Sequence, residues 1–246
     1  MSLQTISLLE VVRKQLRFKL KANIDSISSL IWIQLLAILF SFGGVSTMWS
    51  SSGTTSIEIQ YFTADVVVVF TMIWSLTTAI TLTTKPYRHH DFTFVTNRLS
   101  SSFSNMLFML YANILASLTS TLSGNLISLI KYIFTPTKLY HMETNNFDIF
   151  LGFVITFLYL CLFSTLGYLI GSLTQLSKIF AVIIPLFIFG LLFLNTSMQG
   201  NPFIIQLYQF YVGESNFFIF LLKSILTMIF CLIPAISLLT KLEVRK

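Results

Sequence analysis

The side chains that could carry chemistry are few, and most of them lie between the apolar runs of the sequence. The histidines are His89, His90 and His141, and each lies in a polar connection. His89, His90 and Asp91 are adjacent, but neighbouring residues rarely converge on one metal ion, so we expect no metal site there. Cys161 and Cys231 lie inside apolar runs, where free cysteines usually pack as small hydrophobic residues.

The sequence motifs of nucleotide-binding and hydrolytic proteins are absent. There is no G-x-x-x-x-G-K-[ST] phosphate loop, no G-x-S-x-G and no H-E-x-x-H. An intramembrane enzyme would need clustered polar catalysts at bilayer depth, and no Ser–His or Asp–Asp arrangement falls inside an apolar run. We therefore expect a chain that is not an enzyme and that holds no cofactor or metal of its own.

The composition predicts that much of the surface faces lipid. Hydrophobic residues make up 55% of the chain, charged residues only 10%, and the mean hydropathy is +0.82. Soluble domains carry about 25% charged residues, because a surface in water needs them. The class predicted is an all-α integral membrane protein with a single domain over residues 1–246.

Six apolar runs are long enough to cross a bilayer, which takes about 20 helical residues. They span residues 26–44, 61–82, 103–134, 147–171, 179–195 and 217–240. The third run is longer than one crossing needs, so it must tilt, break or project beyond the bilayer, and the sequence leaves these alternatives open. We therefore predict six transmembrane helices.

The distribution of basic residues predicts the orientation, because Lys and Arg collect on the cytoplasmic side. With both termini in the cytoplasm, twelve of the fifteen basic residues lie inside, and only Lys131, Lys138 and Lys223 lie outside. The basic pI near 9.4 then follows from topology, and no nucleic-acid partner is needed to explain it.

The segment 3–22 has the pattern of an amphipathic interfacial helix. Leu9, Val12, Leu16 and Leu20 recur at helical spacing. Its cations are Arg13, Lys14, Arg17, Lys19 and Lys21. Such a helix can lie in the headgroup layer with its cations on anionic lipid; the alternative is that the charges only set the topology. We expect no signal-peptide cleavage, because the leader before the first apolar run is long and Ser41-Phe42-Gly43 is a poor small-residue cleavage site.

The connection 83–100 is predicted to be the longest cytoplasmic loop. It mixes aromatic and charged side chains: Lys85, Pro86, Tyr87, Arg88, His89, His90, Asp91, Phe92 and Phe94. Aromatic residues and Arg are favoured in protein interfaces, and Pro86 is placed to start a short helix. This loop is either a docking site for a soluble partner or an ordinary positively charged connection.

The third run carries a stripe of small and polar residues. Its members are Asn105, Asn113, Ser117, Ser120 and Gly124. From Asn113 onward the spacing puts them on one helix face. That face is predicted to pack in the bundle or to line a translocation path. Gly167 and Gly171 form a GxxxG pattern in the fourth run, which is typical of a helix contact.

These features together resemble the membrane subunits of ABC-2-type exporters. The stretch 91–105, DFTFVTNRLSSSFSN, looks like the corresponding segment of small permeases from low-GC Gram-positive bacteria. More narrowly, the layout of the whole chain is similar to the membrane subunits of the staphylococcal phenol-soluble modulin exporter.

The resemblance implies a permease in the bacterial cell membrane that pairs with a second membrane subunit, either a copy of itself or a paralogue. It implies cytoplasmic ABC ATPase subunits, which would bind the ATP and magnesium and dock on the loop around Lys85–Phe94. Amphipathic peptides are the implied cargo, although a weakly charged path suits other hydrophobic cargo as well. The alternatives are a small-molecule capture subunit or secondary carrier, and a non-transport assembly or sensor factor.

Overall fold

The computed structural model describes residues 8–42, 46–52, 55–61, 64–87, 98–134, 146–197, 203–214 and 216–241. In chain order the elements are α1 (Leu8–Ala22), α2 (Ile24–Ser41), β1 (Ser46–Ser52), β2 (Thr55–Tyr61), α3 (Asp65–Thr83), α4 (Arg98–Phe134), α5 (Asn146–Leu176), α6 (Phe180–Ser197), α7 (Phe203–Tyr211) and α8 (Phe217–Lys241).

Five of the described helices, α2, α3, α4, α5 and α8, are long and apolar enough to cross a membrane. Large apolar side chains cover their outer surfaces; Trp32 is 71% exposed and Phe230 is 80% exposed. Soluble proteins rarely expose continuous apolar surface of this kind. The predicted class, a helical protein with the build of a multi-pass membrane protein, is confirmed. The count of six spans and the side on which each terminus lies stay predictions.

The long third run is one continuous helix, α4, with 37 residues. At 1.5 Å per residue it is about 55 Å long, against about 30 Å of hydrocarbon, so it projects beyond the bilayer or tilts strongly. The second run begins later than predicted, because Tyr61 belongs to β2 and α3 starts at Asp65. The predicted loop 83–100 is shorter at both ends, since α3 ends at Thr83 and α4 begins at Arg98.

Two described features were not predicted from the sequence. The strands β1 and β2 form an antiparallel hairpin, with Ser46 opposite Tyr61 and Ser52 opposite Thr55. The alternation of Ile57, Ile59 and Tyr61 with polar residues has the period of a strand and was a usable signal. The other is α7, a helix of nine residues between α6 and α8.

The helix α5 lies at the centre of the bundle, where it packs against α3, α4, α6 and α8. Buried apolar side chains fill the bundle in three clusters along its length. Phe108 and Tyr168 lie in the cluster nearest α1, Trp74 and Leu160 in the middle one, and Val67 and Ile127 in the third. The helix α1 packs against the start of α4, at the same end as the first cluster.

Candidate coupling region and intramembrane polar network

The start of the predicted coupling loop lies at the end of α3. Residues 85–87 form a helical turn after Thr84, where Lys85 and Pro86 are exposed and Tyr87 is half-buried. The remaining residues predicted for this site lie outside the described part of the chain: Arg88, His89, His90, Asp91, Phe92 and Phe94.

The helix α1 exposes four of its five predicted interfacial cations: Arg13, Lys14, Arg17 and Lys21. Lys19 differs, because only 4% of its surface is exposed. It shares a buried face with Val12, Gln15 and Asn23, whose spacing of three or four residues follows one side of a helix. The apolar residues Leu16 and Leu20 also pack on the bundle. This part of α1 is therefore a bundle element with one cationic outer face.

Lys19 joins α1 to α4 by hydrogen bonds. Its ammonium group donates to the side-chain oxygen of Asn105 and to the backbone oxygen of Ser101, the latter at 3.4 Å. Asn105 is itself buried. A cation of α1 and a member of the polar stripe of α4 therefore meet here, a contact that the sequence did not predict.

A cleft of about 390 Å³ lies at this end of the bundle. Its lining comes from α1, the end of α3, the turn after it and the start of α4: Phe18, Lys19, Ala22, Asn23, Leu82, Pro86, Tyr87 and Asn105. We call it the α1 cleft. Pro86 and Tyr87, which begin the predicted coupling loop, thus share one cavity wall with the N-terminal helix.

The polar stripe of α4 is buried in the bundle. The Asn113 side-chain oxygen accepts a hydrogen bond from Ser75 of α3 at 2.7 Å, and its amide donates to Ser164 of α5 at 3.0 Å. Ser75 also reaches the backbone oxygen of Leu160 at 3.1 Å. Asn113 therefore links three helices through hydrogen bonds that are shielded from water.

The other members of the stripe serve close packing. Ser117 and Ser120 are fully buried and hydrogen-bond to backbone oxygens of their own helix. A Cβ atom on Gly124 would lie 3.4 Å from the Ala64 Cβ, which is ordinary contact distance. In this conformation Asn113, Ser117 and Ser120 are buried in the bundle. A role of the stripe in lining a translocation path stays a prediction.

Two polar side chains of α2, Gln34 and Ser29, also make buried or half-buried hydrogen bonds to neighbouring helices, and neither was predicted from the sequence. Gln34 donates to the backbone oxygen of Ala116 at 3.3 Å and lies 3.4 Å from the Thr71 hydroxyl. The indole of Trp74 donates to Ser29 at 2.9 Å. The usable signal was the isolated glutamine in an otherwise apolar run, since buried polar groups in a membrane need partners.

Lys131 and Lys223 hold chain segments at the opposite end of the bundle. Lys131 donates to the backbone oxygen of Phe42 at 3.0 Å, so it caps the C-terminal end of α2. Lys223 of α8 pairs with Glu214, and its ammonium lies 4.1 Å from the ring centroid of Phe210. Each lysine therefore connects two segments of the chain at this end of the bundle.

Metal-binding side chains do not gather in groups of three among the residues that the structure describes. The three histidines lie outside that part of the chain. Cys161 is buried in α5, with its sulfur 3.7 Å from the Asn113 amide nitrogen, and Cys231 is buried in α8.

Comparison with protein-family models, with curated proteins and with solved structures finds no match to this chain. Functional assignment therefore depends on the residues and contacts described above.

Proposed function

We propose that this chain is the membrane-spanning permease subunit of an ATP-driven exporter of the ABC-2 type. It forms one domain in the bacterial cell membrane, with six spans and both termini in the cytoplasm. Separate ABC ATPase subunits bind ATP and magnesium and supply the energy. A second membrane subunit, identical or paralogous, completes the path.

The observation that carries the proposal is the shared wall of the α1 cleft. Pro86 and Tyr87, at the root of the predicted ATPase-docking loop, lie in the same cavity as Lys19 and Asn105. Lys19 ties α1 to α4, and α4 runs unbroken for 37 residues. A displacement of the loop can therefore be transmitted through contacting side chains to α4, the longest described helix of the bundle.

The charges at this end agree with a cytoplasmic location. Arg13, Lys14, Arg17, Lys21 and Lys85 are exposed on α1 and on the adjoining turn. Basic residues next to the ends of spans favour the cytoplasmic side and the anionic lipids there.

The sixth span in this proposal is α6. It has 18 residues and is therefore about 27 Å long, close to the thickness of the hydrocarbon core. Described side chains from Ala181 to Gly190 are almost all exposed and apolar, as they are on a helix that faces lipid or a second subunit. With α6 counted as a span, both termini fall on one side.

The cargo in this proposal is an amphipathic peptide of the phenol-soluble modulin type or another hydrophobic molecule. The bundle interior offers hydroxyl, amide and apolar groups with little fixed charge. Closure of the ATPase subunits would switch the bundle between two rigid arrangements, which is a common form of conformational coupling. In such a switch, buried polar links such as Asn113 to Ser75 and Ser164 must exchange partners or move as a unit.

The test is a pull-down of the tagged full chain from native membranes in mild detergent, with mass spectrometry and an ATPase assay. We expect a stoichiometric ATP-binding subunit that is lost in Arg88→Glu and in Tyr87→Ala. The matched control is Lys178→Glu, which reverses an exposed basic charge in the connection between α5 and α6. Absence of any ATPase partner would refute the proposal and favour a capture subunit, a secondary carrier or a non-transport factor.

A further inference from the structure

The hairpin of β1 and β2 is a sheet of two strands, so each strand is also an edge. Its residue pairs run without a bulge from Ser46 opposite Tyr61 to Ser52 opposite Thr55. Among the residues that the structure describes, neither strand pairs with a third strand, and neither makes an extensive contact with a helix. The outward backbone N–H and C=O groups of β1 and β2 therefore have no sheet partner in the described part of the chain.

The edge of β1 lacks the features that usually prevent edge-to-edge pairing. Natural sheets protect an edge strand by making it short, by a β-bulge, by proline or by a charged side chain. The strand β1 has seven residues, Ser-Thr-Met-Trp-Ser-Ser-Ser, with no charge, no proline and no bulge. A hairpin of two strands alone is only marginally stable in water. A further strand on the β1 edge would therefore stabilise it.

The sequence of β1 is compatible with pairing to a second copy of itself. In a symmetric contact, the same strand of both copies pairs antiparallel. The register that uses all seven residues of β1 is centred on Trp49. It places Trp49 opposite Trp49 of the second copy, and Thr47 opposite Ser51. Aromatic pairs and Thr–Ser pairs stabilise antiparallel strands, and no charges meet in this register.

The edge of β2 is not compatible with the same arrangement. The equivalent register of β2 is centred on Glu58 and places two glutamates directly opposite each other, which destabilises the pair. Pairing of β1 with β2 of another copy would be head-to-tail and would leave an open edge at each end. Symmetric pairing through β1 closes the assembly and leaves Glu58 on the outer strands, where a charge protects an edge.

We propose that β1 is a self-recognition strand, through which two copies of this chain form one four-stranded sheet in the order β2-β1-β1-β2. The symmetry axis of an antiparallel pair is perpendicular to the sheet. Two copies inserted in the same direction therefore pair when the sheet lies along the membrane surface. The pairing makes the second membrane subunit a copy of this chain. That assignment rests on the proposed function, whereas the pairing itself does not require an ATPase.

The first test is disulfide cross-linking of the full chain in native membranes. Opposite residues of an antiparallel pair have Cα atoms about 4.5–5.5 Å apart, within the range of about 4.4–6.8 Å that a disulfide spans. Trp49→Cys should therefore give a cross-linked dimer under mild oxidation. The matched control is Glu58→Cys, because Glu58 pairs with Trp49 within the hairpin. In the four-stranded sheet the two Glu58 positions lie three strand spacings apart, about 14 Å, beyond disulfide reach.

The second test exchanges charges at the centre of the pairing. Two copies with different tags are co-expressed, and co-purification of one tag with the other is measured. Two copies of Trp49→Lys should associate severalfold less than one copy of Trp49→Lys with one of Trp49→Glu, because opposite charges across antiparallel strands attract and like charges repel. The control combines Glu58→Lys with the unchanged chain, and this opposite-charge combination on the outer strands should not raise co-purification.

The proposal is overturned if Trp49→Cys cross-links no better than Glu58→Cys, or if it cross-links to a different protein. Equal co-purification in the like-charge and opposite-charge combinations at position 49 would also overturn it. The outcomes are separable from those of the pull-down. A dimer with these properties and no ATPase partner would support the pairing while refuting the exporter function. An ATPase partner without such a dimer would refute the pairing and leave a paralogue as the second subunit.

Discussion

Gly167 of α5 lies directly against the backbone of Leu76 in α3. A Cβ atom added to Gly167 would meet the Leu76 carbonyl oxygen and would lie 3.0 Å from the Leu76 Cα. One turn further on, a Cβ on Gly171 would lie 3.2 Å from the Ile80 Cα. The GxxxG pattern therefore marks the crossing of α3 and α5, where small residues let two backbones approach closely.

Gly167→Ala should destabilise the bundle although alanine favours helices. The propensity gain is about 1 kcal/mol, but the new methyl group meets backbone atoms that cannot turn away, and overpacking costs about 1–3 kcal/mol. We expect a lower melting temperature in detergent. The control is Gly152→Ala on the same helix, where nothing lies within 4 Å of the added Cβ and stability should stay equal or rise. Equal changes in the two variants would refute close packing at Gly167.

The hydrogen bond between Ser75 and Asn113 should be measurable by a double-mutant cycle of Ser75→Ala and Asn113→Ala. Interhelical hydrogen bonds in membranes are worth about 0.6 kcal/mol on average and up to about 1.7, so the coupling energy should fall in that range. In Asn113→Ala, Ser75 can still donate to the Leu160 carbonyl and Ser164 to the Cys161 carbonyl. These remaining hydrogen bonds limit the loss of stability.

The control cycle pairs Ser75→Ala with Thr119→Ala. Thr119 is exposed on α4, and among the described residues it hydrogen-bonds within its own helix, at 2.9 Å to Leu115 and 3.1 Å to Ala116. Its coupling to Ser75 should be near zero, because distant sites without shared partners are additive. A coupling for Asn113 no larger than that of the control would contradict the network.

Lys131→Met should loosen the last turn of α2. Lys131 donates to the Phe42 carbonyl, and cations at a helix C-terminus stabilise it by about 0.3–1 kcal/mol. We expect faster amide hydrogen exchange at the end of α2 and unchanged exchange in α5. The control is Lys178→Met, an exposed lysine between α5 and α6. Unchanged exchange at the end of α2 in Lys131→Met would show that the cap contributes nothing.

Tyr159 and Lys223 should together hold α7 on the bundle. The Tyr159 hydroxyl donates to the backbone oxygen of Tyr211 at 3.0 Å, and Lys223 pairs with Glu214 just after α7. In the variant carrying both Tyr159→Phe and Lys223→Met, amide exchange over residues 203–213 should rise severalfold. The control is Tyr208→Phe, because Tyr208 is an exposed tyrosine of α7. If the double variant exchanges no faster than this control, other contacts hold the helix.

The existence and class of the long helices could be predicted from the sequence, because the length of an apolar run must match the bilayer. Their limits were less predictable. Tyr61 is apolar enough to extend a run, but its backbone pairs with Ser46 in the hairpin. The alternation of apolar and polar residues over Ile57–Tyr61 favours a strand. Hydropathy averaged over a window of about twenty residues hides this alternation and assigns Tyr61 to the apolar run that follows.

The roles of individual polar residues depended on tertiary structure. Lys19 has the same charge as Lys21 and lies two positions away, yet Lys19 is buried and Lys21 is exposed, because the two point to different sides of α1. The sequence predicted that Asn113 would face inward, but it did not give the partners of Asn113 or of Asn105.

The sequence alone predicted a lipid-facing composition and the approximate positions of the helices. It also predicted a close helix contact at the GxxxG pattern and an excess of cations at one end of the bundle. Only the tertiary structure decided which polar groups pair and where a cavity remains. The bond between Lys19 and Asn105 joins residues 86 positions apart, and that between Asn113 and Ser164 spans 51. The hydropathy of a residue is a local property that the sequence gives directly. A buried hydrogen bond between residues far apart in the sequence forms only where the packing of whole helices brings the two groups within bonding distance.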